Sequence, residues 1–138
     1  MADNKYVEIT HYNYPLINIV TTNGASSTRS SYLNLDGAAY ANRSYCYNKV
    51  FKYKNWVYVT YYNGSTWTVA SVNCSGSSPI LGAYQALPAA GTNKPIIQQV
   101  SENELVAAQY NGTIGYASYM KLNEKGGFDT SSLVLTVN

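Results

Sequence analysis

Charge is the scarcest commodity in this chain. Only 12% of its 138 residues are charged, about half the usual share. The net charge of +2 is far below that of a nucleic-acid-binding domain, and no nucleic-acid partner is expected. Histidine is nearly absent, with His11 alone. Cysteine is limited to Cys46 and Cys74, 28 residues apart, a spacing that makes neither a metal motif nor a redox pair. Whether the two are bonded stays open. Long apolar runs are missing: nothing approaches the roughly 18 residues of a membrane helix. "MADNKYVEIT" (1–10) is polar from its first residue and lacks the apolar segment of a signal peptide. The expectation is a soluble chain without membrane insertion, as it stands or as a fragment of a longer one.

The same shortages argue against catalysis. A cysteine peptidase of wall-hydrolase type needs Cys and His in one cleft with His after Cys in the chain, whereas His11 precedes Cys46. A glycosidase needs two carboxylates about 5–10 Å apart. Glu102 and Glu104 have same-face spacing but sit in a turn-like "SENE". No His/Cys/Asp/Glu cluster has metal-ligand spacing, and no Gly-rich phosphate loop follows a strand. The expectation is no enzyme, no cofactor and no metal.

What is abundant is Tyr, with 15 copies beside two Trp and two Phe, in a background of Asn, Ser, Thr, Gly and Ala. This composition belongs to strands and polar turns. No segment holds helical periodicity. Alternating or β-branched runs at 6–12, 15–22, 50–62, 65–72, 93–100, 104–110, 113–122 and 131–138 read as strands; "SSTRSS" (26–31) reads as loop and "NCSGSSP" (73–79) as a linker. The fold class expected is all-β, a small barrel or sandwich built from hairpins.

Two hairpins echo each other. "VYVTYYNGSTWTVASVN" (57–73) and "LVAAQYNGTIGYASYMKLN" (105–123) align on Asn63-Gly64 and Asn111-Gly112, an offset of 48 residues. Asn-Gly is the strongest short-range hairpin signal. The echo fits two copies of a small β-unit or two ordinary hairpins of one sandwich, and both readings stand at this point.

The second copy carries a resemblance. "ALPAAGTNKPIIQQV" (86–100) followed by "YNGTIGYASYMKL" (110–122) resembles a bacterial SH3-type (SH3b) cell-wall-binding domain, with Pro95-Ile96-Ile97 and Gly115-Tyr116-Ala117-Ser118 in the motif positions. "NLDGAAYANRSYCYNKVF" (34–51) and "WVYVTYYNGSTWTVAS" (56–71) resemble it more loosely: one extra residue precedes Asn63-Gly64, and no Gly precedes Trp67. The division expected is an N-terminal β segment (1–30), a first SH3b-like unit (31–75), and a second unit with a C-terminal strand (76–138). The resemblance implies a non-catalytic module that binds a bacterial wall glycan or peptide, of peptidoglycan or teichoic-acid type, as the targeting part of a phage endolysin or wall hydrolase. A lectin-like or phage receptor-binding carbohydrate-binding domain is the alternative, and a structural subunit a third class.

The candidate ligand surface lies on the first hairpin. Along 56–62, Trp56, Tyr58, Thr60 and Tyr62 share one face and Val57, Val59 and Tyr61 the other. With Asn63-Gly64 as a two-residue turn, Thr60 faces Trp67. The aliphatic face is the expected core, which leaves Trp56, Tyr58, Tyr62 and Trp67 outside or lining a groove, ready for sugar rings. A covering layer from 1–30 or 131–138, or a second subunit in a homo-oligomer, would use the same face differently. Tyr40, Tyr45, Tyr116 and Tyr119 are the further aromatic candidates. Lys52 and Lys54 of the basic run "KVFKYK" (49–54) are either contacts for an anionic polymer or an edge strand's guard against aggregation.

Overall fold

β-branched and aromatic residues alternate with polar ones through most of the chain, and every such run is a strand in the computed structural model. The structure describes residues 4–11, 15–35, 49–90 and 93–135. Among these there is no helix, and hence none long and apolar enough to cross a membrane. The protein is all-β.

Among the described residues, twelve strands form three antiparallel sheets, each from one continuous stretch of chain. The first sheet holds β1 (Asn4–His11), β2 (Pro15–Asn23), β3 (Ser26–Arg29) and β4 (Leu33–Asn34), with β3 and β4 both pairing β2. The central sheet is a meander of β5 (Val50–Tyr53), β6 (Trp56–Tyr62), β7 (Thr66–Asn73) and β8 (Ile80–Ala90). The third sheet is a second meander of β9 (Ile96–Ser101), β10 (Glu104–Tyr110), β11 (Gly115–Leu122) and β12 (Phe128–Leu135). Two expectations change here. Residues 26–29, read as loop, pair with Val20–Asn23 of β2. The stretch 73–79, read as a linker, is the turn between two paired strands, so the central sheet runs through the 75/76 division to Ala90.

The echo at an offset of 48 extends through the meanders. The two-residue turn Lys54-Asn55 corresponds to Glu102-Asn103, and the bonds Cys74 N–H to Asn55 O and Leu122 N–H to Asn103 O, 3.1 and 2.7 Å, occupy matching places. At the hairpin tips Asn63 N–H bonds Thr66 O and Asn111 N–H bonds Ile114 O, both at 3.1 Å. Gly64 and Gly112 take φ of 96° and 98°, a region that favours glycine. Nothing lies within 4 Å of where a Cβ on Gly112 would point, so backbone conformation alone selects the glycine there. Asparagine side chains complete the turns. Oδ1 of Asn63 accepts from the N–H of Ser65 and Thr66, that of Asn111 from Thr113 and Ile114, and that of Asn123 from Lys125 and Gly127, all at 2.8–3.0 Å. A short amide that bonds the backbone two residues on is what makes Asn a turn former.

These tips correct the expected register. The turn is centred on Gly64-Ser65 rather than Asn63-Gly64, so Tyr62 lies opposite Trp67 and Thr60 opposite Val69. The slide is by two positions, and with a side-chain period of two the membership of each face is unchanged.

The larger correction concerns layers. The face with Val57, Val59, Tyr61, Ala70 and Val72 packs against Ile17 and Leu35, with Val7, Ile9 and Leu33 alongside, all of residues 4–35. The opposite face, with Tyr58, Trp67, Val69 and Leu87, packs against Ile97, Leu105, Ala107, Met120 and Leu122 of the third sheet. The central sheet is therefore the middle of three layers and is buried on both sides. Tyr58 and Trp67 have no exposed surface, so the expectation of an outward aromatic face is overturned. The cover comes from neither 1–30 nor the last strand alone but from the second hairpin and its neighbours.

The seam between the central and third sheets is pinned by polar contacts. Trp56 Nε1 donates to Glu124 O at 2.9 Å, Ser71 Oγ donates to Gly126 O at 2.6 Å and accepts from Ala83 N–H at 2.9 Å, and Lys49 Nζ donates to Ile97 O at 3.1 Å. The Trp56 ring lies between Gly82 and Gly126, and a Cβ on Gly126 would come within 2.6 Å of it.

Trp67→Ala is expected to lower stability by about 3–5 kcal/mol, as for other buried aromatic truncations. Gly126→Ala, with φ of 77° at that position, is expected to cost about 1–3 kcal/mol from backbone strain alone. Urea unfolding of both variants checks this; a silent Trp67→Ala would contradict the three-layer core.

Candidate functional site

The rings proposed as a ligand surface form one cluster, but inside the protein. Tyr58 stands edge-on to Phe128 of the third sheet, with centroids 5.3 Å apart, and burial pushes its hydroxyl up to about 12. The Tyr62 and Trp67 rings are 5.9 Å apart and tilted. Trp56 and Tyr62 are half-buried at the margin of the same core. Tyr116 and Tyr119 fall on opposite faces of the third sheet, Tyr116 half-buried opposite Gln109 and Tyr119 exposed opposite Val106. Tyr40 and Tyr45 lie outside the described residues, as does Cys46.

The two lysines fare differently. In β5, Lys52 lies opposite Val57 and Val50 opposite Val59, so both point toward the first sheet. There a cleft of about 390 Å³ opens between β1 and β5, the edge strands of their sheets on that side. Its walls include Lys5, Tyr6 and Val7 of β1, Ile19 of β2, Val50, Lys52 and Lys54, Val57 of β6, and Cys74. Among the described residues, three lysines line it and no carboxylate does. Lys54 takes φ of 54° in its turn and reaches Glu102 and Glu124 at 4.0 Å each, which tethers it at the rim. Lys5 and Lys52 make no ion pair with any described carboxylate. Tyr6, 52% exposed, borders the cleft, but strand alternation turns its ring to the other face of β1, with Glu8.

The cleft follows from a mismatch in how the two seams are held. Against the third sheet, the edge strand β5 is bridged: Gln99 Nε2 donates to Lys52 O at 3.2 Å, and Lys49 reaches across as described. Against the first sheet, contact is mostly apolar and sits further in, around Ile17, Val57 and Val59. The edges β1 and β5 are left apart, with polar ends of apolar stripes at the opening. Lys5 shares its face with Val7 and Ile9 by strand alternation. Sequence reasoning missed Lys5 and Tyr6. The alternation "KYVEI" carried part of the signal, a lysine at the end of an apolar stripe, but which sheet that stripe meets is not local information.

Chemically the cleft offers positive charge and an apolar floor. It can hold an anionic, partly apolar segment. Among the described residues no group of three or more His, Cys, Asp or Glu comes together to hold a metal. The Cys74 thiol is raised to about 11 by burial, so it is protonated at neutral pH and a poor nucleophile.

Comparison with family models, with curated proteins and with solved structures returns no match for this chain.

In a Cys46→Ser background, Cys74 is expected to react slowly with a thiol reagent at pH 8, where about one thiol in a thousand is ionised. The rate should climb steadily toward pH 11. Fast labelling at pH 8 would show that the cleft floor is more open than described.

Proposed function

We propose that this chain is a non-catalytic binding module that holds an anionic polymer of the bacterial cell wall in the cleft between β1 and β5, in the manner of the targeting part of a lysin. The observation that carries the reading is the convergence of Lys5, Lys52 and Lys54 on one open cleft whose described lining holds no carboxylate. The resemblance of 86–100 and 110–122 to SH3b domains points to the same class of partner. Among wall polymers the cleft favours the anionic, teichoic-acid-like kind over neutral glycan strands. The aromatic surface that would have stacked on sugar rings is internal, and charge rather than ring stacking is what remains accessible.

Exposed ammonium groups attract a polyanion through screened Coulomb forces, with a Debye length near 8 Å at physiological ionic strength and 3 Å at 1 M. Each such contact is worth up to about 1 kcal/mol. Cosedimentation with purified walls is therefore expected to weaken steeply with salt and to fall when teichoic acid is chemically stripped. The variant Lys5→Glu/Lys52→Glu should lose about tenfold or more in affinity while melting like the parent, because both side chains are exposed. Binding that survives stripping, high salt and the double charge reversal would contradict the assignment.

A further inference from the structure

The face of the third sheet that points away from the central sheet is covered by none of the described residues and is apolar in its middle. Val106 and Tyr119 pair across β10 and β11, with Ala108 and Ala117 beside them, and Leu133 of β12 next to Ala117 is 67% exposed. Exposed apolar surface of this extent on a sheet marks a docking site. The internal echo shows how such a face is satisfied in this fold. At the 48-residue offset, Val106 and Tyr110 of this face match Tyr58 and Tyr62 of the central sheet, and there the face is covered by another four-stranded sheet.

We infer that the outer face of the third sheet is a self-association surface, on which the same face of a second copy of the chain packs about a two-fold axis. The charges of this face favour this occupant. Register places Asp129, Lys121 and Glu104 side by side in a row across β12, β11 and β10 at one end of the face. Glu104 is held ionised, its pKa lowered first by a hydrogen bond from Tyr119 Oη and then by one from Ser101 Oγ. A two-fold axis parallel to the strands and midway between β10 and β11 sets Lys121 of each copy over Glu104 of the other, and Val106 over Tyr119. Each contact then occurs twice, as an isologous interface requires. The outer face of the first sheet is a poorer mate: Glu8 and Arg29, bonded at 2.9 Å, sit on it beside Asn18. That pairing would also be heterologous, without the doubled contacts of a two-fold.

Four strands about 4.8 Å apart and about seven residues long cover roughly 450 Å², below the 800 Å² per partner of a standard interface. The dimer is accordingly weak, with a dissociation constant on the order of 10–100 µM. Sedimentation velocity of the full chain across that range tests it. The parent is expected to move from monomer to dimer with concentration, and Val106→Lys to stay monomeric with an unchanged circular dichroism melt. Glu104→Lys should weaken the dimer about tenfold, and the exchange Glu104→Lys/Lys121→Glu should restore it. A parent that remains monomeric at the highest concentration overturns the inference, as does a dimer indifferent to Val106→Lys. The wall-binding cleft lies on the other side of the central sheet, so these outcomes are independent of its ligand.

Discussion

The two middle strands of the central sheet, β6 and β7, have no solvent face, and the rest of the structure follows from that constraint. A sheet buried on both sides must be apolar on both sides, and β6 and β7 are: one face is lined with Val57, Val59, Ala70 and Val72, the other with Tyr58, Trp67 and Val69. The two faces differ in size. Small side chains and one ring, Tyr61, meet the aliphatic residues of the first sheet, while Tyr58 and Trp67 meet the third. A fully buried aromatic removes about 150–250 Å² from water, at roughly 25 cal/mol per Å², so the seam with the third sheet carries the larger share of the hydrophobic stabilisation. It is also where the fold is least tolerant, with Trp56 held between Gly82 and Gly126 and its indole N–H bonded to Glu124 O.

Scarcity of charge and abundance of asparagine belong to the same design. With both faces of one sheet and one face of each neighbour committed to packing, little surface is left that needs charge. The polar work falls to turns. Asn63, Asn73, Asn111 and Asn123 each bond backbone N–H groups with their side-chain oxygen, which satisfies turn donors without an ionised group. Both proposed binding surfaces draw on these few charges: the lysines on the cleft between β1 and β5, and the Glu104–Lys121–Asp129 row on the far face.

The strands and their tips were legible in the sequence because both signals are local. Alternation identifies a strand within seven residues, and Asn-Gly identifies a tip within two; the membership of each face of β6 followed from parity and survived the two-position slide in register. The layer order was not legible. Nothing in "WVYVTYY" distinguishes a strand with one wet face from one covered twice, since an aromatic stripe suits either a ligand or a partner sheet. The cover lies well over 40 residues downstream, in Leu105 and Met120. Lys52 and Lys54 were legible as a basic pair, but their company with Lys5 depends on how two sheet edges come to rest beside each other. The weak β3 (Ser26–Arg29) was missed because its four residues are all polar and exposed, with no apolar stripe to announce a strand.

Amide hydrogen exchange of the native chain tests the three-layer account most directly. Exchange from strands buried on both faces requires opening on the scale of global unfolding, whereas edge strands open locally. The amides of β6 and β7 are predicted to be the slowest in the protein, slower than those of β10 and β11, with β1 and β12 fastest among the strands. Exchange of β6 and β7 at the rate of the edge strands would mean that one face of the central sheet is open to water, and the account built on its burial would fail.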